Sequence, residues 1–254
     1  MGISLLVGAK ATVLLVAFLG LRSIIPTTFS MPFLHASLAS FLISIASHPY
    51  LNLPLLLGKN PDGSFPLWSF ILFGPYLILI RIYVFIRRLK RREPLYNEII
   101  DGIYVGGWPS PLDSAPPGDP AIVDCTCELP RSSLFSKNEY ICIPTWDTRA
   151  PQPSEIELAV RWACRKRAQS KPVYIHCAFG HGRSVCVLSA LLVALGVSDH
   201  WKEAEKIVKK QRPSIRMNAL HRKSLEEWSK CRNSSERKDD KSISSMITPE
   251  ASRN

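Results

Sequence analysis

Charge is spread so unevenly along this chain that its two parts cannot follow the same folding rules. The first 80 residues hold three basic side chains, Lys10, Arg22 and Lys59, and one acid, Asp62. Three apolar stretches fill this part: Ile3–Ile25, Phe33–Leu57 and Leu67–Ile86. A helix needs about 20 apolar residues to cross the hydrocarbon core of a bilayer, and each stretch meets that length. They differ in quality. Lys10 interrupts the first stretch, and His48, Pro49 and Pro54 interrupt the second. Arg81 lies near the end of the third, where its head can reach the interface. Trp68, Tyr76 and Tyr83 suit an aromatic belt. The pattern predicts two or three helical spans. For the first stretch, a signal peptide or an organelle-targeting segment is a rival reading. It is long and plainly apolar, however, and no clear small-residue cleavage site comes after it.

The net charge is +11, and its densest run is Arg87-Arg88-Leu89-Lys90-Arg91-Arg92. Its position directly after an apolar stretch marks a membrane–water boundary rather than a nucleic-acid patch. No nucleic-acid partner is expected. The positive-inside rule then places residues beyond this run in the cytosol or an equivalent reducing compartment, such as a matrix or stroma. The seven cysteines form no disulfide framework, which suits such a compartment. Cys125 and Cys127 lack the partners of a zinc site, so no metal and no other cofactor is expected.

From Pro94 the texture becomes that of an α/β domain. Strands are predicted at Ile99–Val105, Ala121–Cys125, Tyr140–Ile143 and Pro172–His176, with a proline-rich loop at Ser110–Pro120. Helices are predicted at Glu155–Arg167, capped by Ser154, and at Ser184–Leu195, ended by Gly196. A third begins after Ser198 or Asp199 and runs to Gln211, and a last one spans Asn218–Cys231. The expected organisation is a membrane region at 1–93, a catalytic domain at 94–232 and a disordered tail at 233–254.

The sequence His176-Cys177-Ala178-Phe179-Gly180-His181-Gly182-Arg183-Ser184 joins an apolar strand to a buried helix. A helix start offers unpaired N–H groups and a positive dipole end. Gly180 and Gly182 let successive N–H groups turn inward as an anion nest. Helix termini and nearby cations lower a thiol's pKa, so Cys177 becomes an available nucleophile. Arg183, six residues on, can fork two hydrogen bonds onto phosphoryl oxygens. The Ser184 hydroxyl can donate to the sulfur and help it leave.

This His-Cys-x5-Arg-Ser segment resembles the signature of the protein-tyrosine-phosphatase superfamily and is similar to its dual-specificity branch. The likeness covers about 97–230, including Glu98–Gly107, Ile122-Val123-Asp124 and Arg212–Asn218. It implies an α/β fold: a central, mostly parallel sheet flanked by helices, here preceded by a helical transmembrane region. It implies hydrolysis of phosphate monoesters through a phosphocysteine, with His176 orienting the loop. It also implies a general acid about 30 residues before the cysteine. Asp147 fits that place, with Asp124 as the competing candidate. The phosphate-binding loop would be Ala178, Phe179, Gly180, His181, Gly182 and Arg183. Some lipid-directed relatives carry basic residues in this loop. Here Ala178, Phe179 and His181 make it less basic than a polyphosphoinositide would want.

The likeness ranks a phosphorylated protein first as substrate. The alternative is a phospholipid head group, either phosphatidylglycerophosphate or a monophosphorylated phosphoinositide. Arg149 and the 87–92 run would gather anionic lipid in either case. A catalytically silent phosphate-binding module and a membrane scaffold are the other classes considered. Cys125, Cys127 and Cys142 are read as ordinary strand cysteines rather than redox partners of Cys177.

Overall fold

A computed structural model describes residues 3–91, 93–110 and 115–247. Arg92, part of the proline-rich loop and residues 248–254 lie outside the described residues. The apolar part forms three helices: α1 (Ile3–Leu21), α2 (Thr27–Ala46) and α3 (Leu67–Arg91). Each is long and apolar enough to cross a membrane. Helices α1 and α2 pack as a hairpin, with Ser37 Oγ donating to Ala11 O at 2.8 Å and Ser44 Oγ to Ser4 O at 2.7 Å. Small residues and serine hydroxyls allow such close approach where water is absent. Helix α2 stops at Ser47 rather than continuing to Leu57. Residues ahead of a proline avoid helical geometry, and Pro49 and Pro54 come soon after. A single 3-10 turn forms at Pro54–Leu57. Helix α3 runs beyond Ile86 to Arg91, because Arg, Leu and Lys all sustain a helix.

The second part is a five-stranded sheet in the order β1-β2-β5-β3-β4. The strands are β1 (Tyr96–Ile100), β2 (Ile103–Gly106), β3 (Ala121–Asp124), β4 (Tyr140–Cys142) and β5 (Val173–His176). Strands β2, β5, β3 and β4 pair in parallel, and β1 is antiparallel to β2. The single strand expected at Ile99–Val105 is therefore a hairpin. It turns at Asp101-Gly102, where Gly102 takes φ +66. Helices α4 (Pro153–Ala168), α5 (Arg183–Ala194), α6 (Trp201–Gln211) and α7 (Ala219–Ile247) complete the domain. Helix α4 starts one residue before Ser154, with Gln152 N donating to the Glu155 carboxylate at 2.7 Å. The N-cap of α6 is His200, whose ring accepts from Lys202 N. Helix α7 includes residues 233–247 of the segment expected to be disordered. No glycine or proline lies between Ala219 and Ile247 to break it.

The main core lies between the sheet and α4, α5, α6 and α7. Val105, Val123 and Ile175 meet Ile156, Val185, Leu188, Trp201 and Trp228 there. Strand β5 sits at the centre of the sheet, so the chain leaves it at one fixed point. That point is Cys177.

Candidate active site

Strand β5 delivers His176 between Gly106 of β2 and Asp124 of β3. The chain then turns through Cys177–Gly182 and enters α5 at Arg183. Gly180 holds φ +73, and a Cβ there would meet the Gly106 carbonyl carbon at 2.5 Å. A left-handed position against another backbone admits glycine alone. This turn folds the loop back over the sulfur. The Cys177 Sγ accepts from Gly180 N and from Ser184 Oγ, both at 3.3 Å. Burial pushes the Cys177 thiol up, but the Arg183 charge and the donors from Ser184 and the loop backbone outweigh it. The result lies below the ordinary thiol range.

Arg183 is 2% exposed and held on several sides. Its two terminal nitrogens form a fork on Glu128, at 3.0 Å to Oε2 and 2.8 Å to Oε1. The first also donates to Thr145 O at 2.7 Å, and the second reaches Asp147 Oδ1 at 3.2 Å. Asp147 keeps 40% of its side chain exposed. Cys177, Arg183, Ser184 and Asp147 thus converge on one place. Asp124 lies elsewhere. It is fully buried, accepting from Lys59 Nζ, Tyr140 Oη, Thr126 N and Thr126 Oγ1. Its carboxylate has no open face from which to reach a leaving group. His176 Nδ1 stands 3.9 Å from Asp124 Oδ1, and burial lowers the histidine's pKa.

The remaining loop residues are engaged by the protein rather than by an open pocket. Ala178 packs with Val84 and Leu129, beside Ile80, Trp108 and Phe179. His181 has one ring nitrogen 2.6 Å from Glu93 Oε2 and the other 3.0 Å from Arg91 Nη1. The basic run does not simply face lipid, as its placement suggests. Arg87 and Arg91 lie over the Phe179 ring, and Arg88 donates to Trp108 O at 2.9 Å. Arg149, expected to gather lipid, instead donates from Nε and Nη2 to Ser47 O at 3.2 and 2.8 Å. Cys125, Cys127 and Cys142 are raised above the ordinary thiol range, in each case by burial first.

The loop bearing Asp147 is clamped from both sides. Trp146 is fully buried among Ile43, Ala46, Leu57, Phe73, Tyr76 and Leu77 of the helical region. Thr148 takes φ +66, and its carbonyl accepts from Asn218 Nδ2 at 2.8 Å. Glu128, Lys59, Thr145 and the Ser47 carbonyl have no local signal in the sequence. They lie 55, 65, 38 and 102 residues from the groups they hold.

Residues 120–231 match the family described as dual specificity phosphatase, catalytic domain. With the sheet order and the loop geometry, this match makes residues 120–231 similar to the catalytic domain of the dual-specificity phosphatases. Among particular relatives, phosphatidylglycerophosphate phosphatase PTPMT2 of Arabidopsis thaliana is 32% identical over 105 residues. The match covers 39% of this chain and 44% of that relative, so the chain spans less than half of the relative's length. A crystal structure of a mouse dual specificity phosphatase with zinc tungstate shares the fold. Its TM-score is 0.50 at 15% identity, over 56% of this chain and 91% of that one. The crystal structure of PTPMT1 in complex with PI(5)P superposes with TM-score 0.48 at 22% identity, over 54% and 96%.

Proposed function

We propose that the chain is a membrane-bound phosphatase that hydrolyses phosphate monoesters on phospholipid head groups through a phosphocysteine. The observation that carries the chemistry is the shared guanidinium of Arg183, which bonds to Asp147 and whose charge helps to lower the pKa of the Cys177 thiol. In the first step the Cys177 thiolate attacks phosphorus, forming the S–P bond as the P–O ester bond breaks. Arg183 and the loop N–H groups hold the equatorial oxygens. Asp147 gives its proton to the departing oxygen, which is otherwise a poor leaving group. In the second step the Asp147 carboxylate takes a proton from water as the water oxygen attacks phosphorus. The S–P bond breaks, and the Ser184 hydroxyl steadies the returning thiolate.

Two observations favour a lipid over the phosphoprotein that the sequence resemblance ranks first. The relative with 32% identity is a phosphatidylglycerophosphate phosphatase. The loop's Ala178 also borders an apolar helix, α3, rather than open solvent. The domain match with dual-specificity phosphatases supports the phosphoprotein reading, so the test needs both substrates. The full chain in vesicles should be assayed on phosphatidylglycerophosphate, on a monophosphorylated phosphoinositide and on phosphotyrosyl peptides. A kcat/KM at least about 100-fold higher on one of the lipids is expected, a difference of about 2.7 kcal/mol. A preference for peptides would overturn the substrate. An absence of turnover on all of them would return the chain to a silent phosphate-binding module. The positive-inside pattern supports a cytosolic or equivalent placement for the catalytic domain.

A further inference from the structure

Helix α3 does not sit in the fold as a span would. Its buried residues Ser69, Phe73, Tyr76, Leu77 and Val84 form one stripe at helical spacing. Ser69 bonds to Leu57 O within the helical region, and from Phe73 onward the stripe meets loops of the phosphatase domain. Phe73, Tyr76 and Leu77 share a cluster with Cys127 and Trp146. Val84 packs with Leu129 and Ala178. In the last turn Arg88 bonds to Trp108, and Arg91 meets His181. At about 1.5 Å per residue, the contact from Phe73 to Arg91 runs about 27 Å. That is close to the hydrocarbon thickness of a bilayer, roughly 30 Å. If α3 stood upright, the domain packed along it would be drawn into the hydrocarbon with its charges and loop backbone. Unsatisfied backbone in lipid costs several kcal/mol per group.

Two further observations agree. The segment ahead of α3 is fastened to the same domain as its far end. Lys59 Nζ donates to Asp124 at 2.7 Å, and Arg131 N donates to Gly63 O at 2.9 Å. A span would place those two ends on opposite sides of the membrane. In addition, Arg81 falls close to the middle of Leu67–Arg91. Its Nε and Nη2 have no hydrogen-bond partner among the described residues, and Phe65 and Phe70 lie against the guanidinium. At a bilayer centre an arginine costs roughly 2.5–3.5 kcal/mol or more. At the head-group level that cost falls away.

We propose that α3 is an in-plane helix. Its exposed residues Ile71, Ile78, Ile82, Phe85 and Leu89 rest in the acyl boundary of an anionic bilayer, and the phosphatase domain hangs beneath it. The α1–α2 hairpin also exposes apolar side chains, among them Val13, Leu19, Leu38 and Leu42. The hairpin alone then enters the bilayer. Arg81 and Lys90 supply the positive charge that an anionic surface complements. The loop residues Ala178 and Phe179 are held at head-group depth as a result, whether or not the protein is an active phosphatase.

The full chain, carrying Asp62→Cys, can be tested in membrane vesicles of uniform orientation with an impermeant maleimide. Asp62 is exposed in the segment before α3, and Cys231 is exposed on the catalytic domain. An in-plane helix predicts that both thiols label from the same side, with rates unchanged by permeabilisation. If one labels directly and the other gains more than tenfold on permeabilisation, α3 spans and the proposal fails. A second measurement places a fluorophore on Ile82→Cys in phosphatidylcholine–phosphatidylserine vesicles with brominated acyl chains. Strongest quenching by bromine near the head groups is expected. Strongest quenching by bromine near the chain ends means a span. No quenching at any depth means that a second copy or another protein covers this face. Either result overturns the proposal.

Discussion

Cys177 is where burial and charge oppose each other most directly. Burial alone would keep the thiol protonated, and Arg183 with the surrounding donors reverses that. The thiolate should therefore form below the ordinary thiol value of about 8.5. Iodoacetamide alkylation of Cys177 should show its midpoint below that value. Ser184→Ala, which removes a donor at 3.3 Å, should shift the midpoint upward. An unchanged midpoint would mean that Ser184 does not act on the sulfur. At this scale the sequence was highly legible, because Cys177 through Ser184 are contiguous and their geometry is set by one turn. Glu128 was not legible. An acid 55 residues from Arg183 carries no mark that it will fork onto that guanidinium.

At the scale of elements, the loop from Pro144 to Pro151 depends on a helix it does not belong to. Arg149 ties it to the Ser47 carbonyl at the end of α2, and Trp146 is buried in the helical cluster. Arg149→Gln should loosen the hold on Asp147 without touching the thiol. A positioned general acid contributes about 10²–10⁴ in rate. We expect kcat on phenyl phosphate, a poor leaving group, to fall about tenfold. On a difluoromethylumbelliferyl phosphate, whose leaving group needs no proton, it should stay within about twofold. Equal losses on both would indicate general damage instead. The helical contribution was not readable because it joins segments 102 residues apart. The hairpin at Asp101-Gly102 was missed for a different reason. Apolar residues flank the turn so closely that the run looks like one strand.

For the whole molecule, Lys59 joins the two compositional halves. It donates to Asp124 and to Thr126 from inside the catalytic domain. Burial opposes the charge on both partners, yet each offsets the other. Lys59 is raised above and Asp124 lowered below the ordinary value. The Asp124 contribution to stability is present above the ordinary carboxylate value, about pH 3.9, and is lost as pH falls through the lower folded value. That of Lys59 is present below about pH 10.4 and is lost as pH rises through the higher folded value. Lys59→Met leaves the buried Asp124 carboxylate without its counter-charge, although Tyr140 and Thr126 still donate to it, and should cost about 3–5 kcal/mol in thermal or denaturant unfolding. Lys59→Met with Asp124→Asn should recover most of that loss. If the single variant is as stable as the parent, the two halves are not coupled through this pair. Composition separated an apolar part from a charged part. It could not show that a lysine from the first is part of the core of the second.

The most direct measurement is acid-quench mass spectrometry of the full chain during turnover of a phosphate monoester. A single added phosphoryl group on the peptide containing Cys177 is predicted, absent in Cys177→Ser and lost when substrate is exhausted. Steady phosphate release from the Cys177→Ser variant, with no phosphorylated peptide in the parent, would contradict the phosphocysteine mechanism.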